Sequence, residues 1–301
     1  MRASSAEAPA RAALAGNPSD GYGGRTLAVA LPVFRARVDV EPADRFQIDD
    51  PLLAAAFRRF ARGLGIDPPP FAMRFTTTIP RQVGLGGSSA IVVAALRALA
   101  TAFDVDLTPG NLAMAALEAE TEELGIAAGP QDRIVQAYGG LVAMDFDPRH
   151  GPGGSVRNLD PDLLPPLFVA WQRDPADSSH VFHADLRRRY DAGDSSVSRC
   201  MTRLARLALE ARDALQSGDH DAFARCLDGS FDLRREMAEL DPAHVRMVEL
   251  ARELGAAANF TGSGGAIVAT MPGDMSKPAL VAAFAAEGCS VHAPVRLGLS
   301  G

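Results

Sequence analysis

Between Ile79 and Ala90 the chain reads IPRQVGLGGSSA. Three glycines, Gly84, Gly86 and Gly87, stand before two hydroxyls, Ser88 and Ser89. A strand-like run, Phe71 to Thr78, enters the stretch, and an apolar helix-like run, Ile91 to Phe103, leaves it. Glycines let the backbone turn tightly and come close to a ligand. The first N–H groups of a helix have no internal partners, and its dipole adds partial positive charge there. Such a turn suits phosphate. The plainer alternative is a strand-to-helix turn with Ser88 as N-cap. Two hydroxyls behind three glycines favour phosphate.

Two familiar nucleotide loops are excluded. A P-loop needs Lys directly before Ser or Thr, and the only lysine is the distant Lys277. The stretch is not G-x-G-x-x-G, and no acidic residue follows at the dinucleotide-binding distance. A nucleotide here would be held by backbone donors and serines.

Three further constellations could do chemistry. Phosphoryl transfer needs Mg²⁺ held by oxygens and a group to receive the acceptor's proton. Glu120 and Asp132 could meet those two needs. The competing readings are a solvated acidic face with Glu118, Glu122 and Glu123, favoured for Glu120 from the residues alone, and an N-cap for Asp132. Arg11 lies on a mostly apolar strand and needs a partner or a polar cavity. Asp20, in a loop with Asn17 and Ser19, could pair with it or bind substrate hydroxyls; the structural pairing leads. TGSGG, Thr261 to Gly265, is either a tight turn or a second anion cradle.

The elements that must position these groups follow from pattern. Met1 to Ala8 reads as a loose tail and Pro9 to Ala15 as a strand. Gly16 to Arg25 is a loop, Thr26 to Val40 is β-rich, and Pro51 to Gly63 is helix-like. Ala90 to Phe103, broken by Arg97, reads as a buried helix. Thr108-Pro109 starts a helix that runs to Leu124. Gly139-Gly140 lead to the strand LVAMDF. His150 to Gly154 is a loop, with a domain boundary near residue 160. Leu167 to Gln172 is a strand; Ser195 to Leu215 and Asp221 to Leu240 are paired amphipathic helices; Asp241-Pro242 starts another. The strand AIVAT, a helix from Lys277 to Glu287 and a strand near Ser290 to Val295 complete the chain. Two α+β domains result, 9–160 and 161–301.

The 301 residues are long enough for two domains, and 47% hydrophobic with 22% charged residues is an ordinary globular composition. A formal charge of −7 argues against a nucleic-acid partner. The densest basic run, Arg187 to Arg189, reads as a solvated helix face. Three scattered cysteines, Cys200, Cys226 and Cys289, fit reduced thiols in a cytoplasm. No apolar run reaches the roughly 20 residues of a membrane span, and residues 1 to 8 lack the apolar core of a signal peptide.

Taken together, PARAALAGNPSD, IPRQVGLGGSSA and NFTGSGGAIVA resemble the three ordered motifs of the GHMP small-molecule kinase superfamily. GNPSDGYGGRT, GIAAGPQDRIVQAYGGLVAMDF and ADSSHV followed by LRRRY resemble the glucuronokinase branch, as does the extra residue between Gly84-Leu85 and the serine pair. The sparse lysine and small residues at several loop positions depart from that pattern. The resemblance implies a ribosomal-protein-like N-terminal domain and a ferredoxin-like C-terminal domain. It implies transfer from ATP, with Mg²⁺, to the anomeric hydroxyl of a sugar, D-glucuronate by preference. Other acceptors in view are galactose, fucose, a heptose phosphate or a non-sugar alcohol; a non-catalytic regulator on the same fold is a further alternative. It also implies roles. Asp132 would accept the hydroxyl's proton, and Arg11 would lower that hydroxyl's pKa or hold Asp132 ionised. Gly84, Leu85, Gly86, Gly87, Ser88 and Ser89 would wrap the ATP phosphates, and Gly262, Ser263, Gly264 and Gly265 would close the site. Ser89 and Glu120 would ligate Mg²⁺, which now favours Glu120 over its acidic neighbours. Asn17, Ser19, Asp20, Arg25, Gln131 and Arg133 would line the substrate, with Arg25 and Arg133 the candidates for a uronate carboxylate. A monomer or homodimer without a membrane partner is expected.

Overall fold

A computed structural model describes residues 1–65, 68–174, 179–273 and 275–295. Strand β1, Ser4–Ala15, begins earlier than the pattern indicates. The expected tail is tied down: Arg2 N donates to Ala102 O at 3.0 Å, and Ser4 Oγ donates to Ala98 O at 2.7 Å. Strand β2, Arg25–Pro42, is buried without a break from Thr26 to Leu31. It then alternates, with Phe34, Ala36, Val38 and Val40 inward. Helix α1, Pro51–Leu64, starts at Asp50, whose carboxylate accepts from Leu52 N and Leu53 N. Strand β3, Phe71–Thr77, is antiparallel to β2, with Val38 opposite Phe75.

Helix α2, Gly87–Phe103, is almost wholly apolar. Its one arginine, Arg97, donates to the carbonyls of Glu7, Gln136 and Ala137. Helix α3, Pro109–Thr121, is capped by Thr108 as expected but ends three residues before Leu124, where Ile126 N donates to Glu120 O. Helix α4, Gln131–Tyr138, leads to β4, Leu141–Asp145, and β5, Ser155–Leu159. In the first sheet the strand order is β1-β2-β4-β5, with β3 also paired to β2.

Strand β6, Leu167–Gln172, is followed by α5, Ser179–Asp191, α6, Ser195–Ser217, α7, His220–Met237, and α8, Pro242–Glu253. Strands β7, Ala258–Phe260, and β8, Ala266–Thr270, flank TGSGG; α9, Lys277–Ala286, and β9, Cys289–His292, complete the order. The second sheet runs β7-β8-β6-β9, antiparallel throughout. With helices after its first and third strands, that is the βαββαβ arrangement of ferredoxin-like domains. Of the segment ADSSHV, residues 176–178 lie outside the described residues.

The chain forms two compact units. One comprises Met1–Arg11, Ala30–Ile79 and Gly86–Gly139. In it α1, α2, α3 and α4 pack together, and Phe57, Phe60, Phe71 and Phe103 meet ring to ring at 5.0 to 6.0 Å. The other comprises Ala12–Val29, Pro80–Leu85 and Gly140–Gly301. Its core gathers Phe168, Phe231, Phe260, Phe284, Met247 and Leu280 between sheet and helices. It is closed by contacts far apart in sequence: Asn259 Nδ2 donates to Leu14 O at 3.0 Å, and Ala13 N donates to Thr261 O at 2.9 Å. Cys200, Cys226 and Cys289 are buried. Among the described residues no helix is long and apolar enough to cross a membrane.

Candidate active site

Side chains of Asp50, Thr108, Asp194, Asp219, Asp241 and Ser276 each cap their helix. Helices α2 and α4 have no side-chain cap. These two helices carry Ser88, Ser89 and Asp132, so their open N–H groups stand where the sequence places the chemistry. Neither plain capping reading holds. The N-cap of α2 is Gly86, and Ser89 Oγ turns back to donate to Gly86 O at 3.1 Å. The N-cap of α4 is Pro130, which leaves Asp132 inside the first turn.

Gly86 has φ 73°, and a Cβ there would lie 2.9 Å from Gln136 Nε2 and 3.2 Å from Arg11 Cγ. Gln136 Nε2 donates to Gly86 O at 2.7 Å. The start of α2 is therefore pressed onto Arg11. Only glycine combines that backbone with that approach. Gln136 does not stand out in the sequence, because a glutamine in an amphipathic helix reads as surface; here it is fully buried.

Arg11 is 4% exposed and meets Asp132 as a fork: Nε donates to Oδ1 and Nη2 to Oδ2, each at 2.6 Å. Such paired, charge-assisted bonds are among the strong ones. Burial pushes the Asp132 pKa up, but the Arg11 charge and its bonds outweigh that, with help from Arg133 and Gln131, and lower it to about 2. Asp132 is thus an ionised acceptor at neutral pH, held in a fixed orientation.

Glu120, at 1% exposure, is not part of a solvated face. Its neighbours take the surface partners: Glu118 pairs with Arg59, and Glu123 with Arg58 and Arg62. Glu120 Oε2 instead accepts from Arg133 Nε at 2.5 Å, and Arg133 Nη1 donates to Gly129 O at 2.8 Å. Burial raises the Glu120 pKa, opposed by the Arg133 charge. Ser89 and Glu120 lie on helices packed against each other. The Ser89 proton is spent on Gly86 O, which leaves the hydroxyl oxygen's lone pairs for a ligand. One hydroxyl and one carboxylate fit Mg²⁺ held mainly by phosphates and water. Among the described residues no group of three or more His, Cys, Asp or Glu could hold a metal alone.

In the second unit, residues 80–85 lie against TGSGG. Thr261 Oγ1 donates to Gly84 O at 2.9 Å. Gly84 has φ 70°, and a Cβ there would lie 2.9 Å from Gly264 O and 3.0 Å from Ser263 N. The loop Gly16 to Arg25 buries Asn17, Ser19 and Asp20. Ser19 Oγ donates to Arg25 O at 2.9 Å, and Arg25 Nε donates to Asp145 Oδ2 at 2.7 Å. Asn17 Oδ1 is buried and accepts no hydrogen bond among the described residues, as an atom awaiting a ligand hydroxyl would. Of the basic run, Arg187 does more than face solvent. It stacks 5.7 Å over the Tyr22 ring and donates to Gly21 O at 3.3 Å.

Comparison with known proteins agrees with these motifs. The family model described as GHMP kinases N terminal domain matches residues 51–140, and GHMP kinases C terminal matches 211–289. Probable glucuronokinase 2 of Arabidopsis thaliana is 36% identical, over 96% of this chain and 90% of that protein. Glucuronokinase 1 of the same plant is also 36% identical, over 87% and 83%. The crystal structure of Lactococcus lactis galactokinase complexed with galactose superposes with TM-score 0.83, over 98% of this chain and 94% of that one; at 14% identity it shows the fold alone. The chain belongs to the GHMP kinase family and is a phosphotransferase with an alcohol group as acceptor.

Proposed function

We propose that the protein phosphorylates the anomeric hydroxyl of D-glucuronate, using ATP and Mg²⁺, to give D-glucuronate 1-phosphate. The observation that carries the reading is the Arg11–Asp132 fork beside the uncapped start of α2. Gly84 to Ser89 and Gly262 to Gly264 would hold the ATP phosphates by backbone donors and hydroxyls. Ser89 and Glu120 would hold Mg²⁺, which would offset phosphate charge. Asp132 would accept a hydrogen bond from the sugar hydroxyl and orient its oxygen toward the γ-phosphorus. The new oxygen–phosphorus bond forms as the bond to the bridging oxygen breaks, ADP leaves, and the hydroxyl proton passes to Asp132. With a pKa of about 2, Asp132 takes that proton only late, once the oxygen has given its electrons to phosphorus. Catalysis then rests on positioning and charge neutralisation more than on basicity.

Asn17, Ser19, Asp20 and Gln131 would bind sugar hydroxyls. For the uronate carboxylate, Arg25 and Arg133 remain the proposed partners. Arg25 is favoured: its side chain is 38% exposed and is held to Asp145 through Nε, whereas Arg133 is buried and bonded to both Glu120 and Gly129 O. The ATP-binding domain would span 9–160 and the second domain 161–301.

The test is ADP release with Mg-ATP against glucuronate, galacturonate, glucose, galactose, fucose and mevalonate. Turnover on glucuronate above the rest, with kcat lost about 10²- to 10⁴-fold in Asp132→Asn, is expected. Turnover on another acceptor would overturn the substrate. ATP binding with no turnover on any would point to an acceptor outside this panel, such as a heptose phosphate, or to a regulator.

A further inference from the structure

Beneath TGSGG, α7 carries a fully buried arginine, Arg234. Its Nη1 donates to Gly262 O at 2.7 Å, and its guanidinium lies 5.6 Å over the Phe260 ring. Burying a guanidinium is costly unless hydrogen bonds and other favourable contacts offset the lost hydration. Here one of them fixes a carbonyl of the second glycine turn. Among the described residues cis peptide bonds occur only at two X-Pro positions elsewhere, so the Gly262–Ser263 peptide is trans. In a trans peptide the N–H points opposite to the C=O. Drawing Gly262 O toward α7 therefore turns the Ser263 N–H the other way. Gly84 of the first glycine stretch faces that nitrogen, at 3.0 Å from where its Cβ would be. Thr261 Oγ1 fastens the same turn to Gly84 O.

We propose that Arg234 is a positioning residue for the nucleotide. It holds the Gly262–Ser263 peptide so that the Ser263 N–H joins the phosphate-binding donors beside Gly84. Its own charge lies behind that cradle. The inference rests on the reading of the two glycine stretches as the ATP phosphate site. Sequence reasoning cannot find such a residue. Arg234 sits in a helix with arginines on its surface, and only packing separates it from them.

The variants are Arg234→Met, which keeps bulk without charge, and Arg234→Lys, which keeps charge without the fork. ATP and adenosine binding are measured by calorimetry beside circular dichroism and urea unfolding. In folded Arg234→Met the Kd for ATP is expected to rise about tenfold, the worth of one charge-assisted bond. Adenosine binding is unchanged, and kcat at saturating ATP stays within about threefold. Arg234→Lys recovers part of the ATP affinity. If Arg234→Met does not fold, Arg234→Lys carries the test, with a loss of about threefold for ATP and none for adenosine. Equal ATP affinity in wild type and the folded variant overturns the proposal. So does a loss shared equally by adenosine, since that is a general disturbance. A wild type that binds no ATP at all overturns the cradle reading itself.

Discussion

Replacing Arg11 by Gln should change how stability depends on pH. In the wild type, burial acts to raise the Asp132 pKa, and Arg11 more than reverses it, from 3.8 to about 2. That fall is worth about 2–3 kcal/mol. The sign follows from linkage. A depressed carboxylate pKa stabilises the fold above the unfolded value, and the contribution is lost as pH falls from 3.8 toward 2. Without Arg11 the burial effect dominates and the Asp132 pKa rises, so stability is now lost as pH climbs above about 4. Breaking a buried pair costs about 3–5 kcal/mol; Asp132 is one-fifth exposed, so about 3 kcal/mol is expected at pH 7. Toward pH 4 protonation of Asp132 relieves the strain, and the deficit should narrow by about 1 kcal/mol. Urea unfolding of both proteins at pH 7 and pH 4 measures this. A second arm follows kcat against pH, where the variant should gain an acid limb that the wild type lacks above pH 4. A deficit that stays constant or widens on acidification would refute the idea that Arg11 holds the Asp132 charge.

Other outcomes follow from the same geometry. Glu120→Gln leaves the Arg133 guanidinium buried without its carboxylate, so a loss of about 3–5 kcal/mol in urea unfolding is expected, with a higher Mg²⁺ requirement in ADP release. Burial pushes all three thiols up, Cys226 to about 11. Iodoacetamide at pH 7.5 should therefore leave the native protein unlabelled and label three sites after unfolding, read by mass spectrometry. Asp50→Ala removes the α1 cap and should cost about 1 kcal/mol in thermal or urea unfolding.

Much of this was legible in the residues. Cap-and-proline pairs such as Thr108-Pro109 and Asp241-Pro242 mark helix starts because the signal is local. So is the glycine–serine turn, whose conformation depends on glycine itself. What escaped depends on partners distant in sequence. Ser4 to Ala8 looks like a tail because its small residues and Glu7 carry no strand periodicity; the bonds to α2 supply what propensity does not. Glu120 looks like one more acid in an acidic row, and only α1 on one side and Arg133 on the other sort that row into surface and interior. Ser88 would cap α2 in isolation, yet Gly86 takes that place because Arg11 and Gln136 draw the backbone in.

The bond between Asn259 and Leu14 has a consequence for how the molecule is made. Its two ends are 245 residues apart. At a synthesis rate of roughly 5–20 residues per second, β1 waits on the order of ten to fifty seconds for that partner to be translated. Over that interval β1, although paired with β2 on one side, keeps its other edge open at Ala13 and Leu14, and an open strand edge invites edge-to-edge association. The segments of the first unit, by contrast, are all translated by Gly139. Yield of active protein should therefore respond to chaperone supply while that edge of β1 is open, as well as to the equilibrium stability of the finished fold.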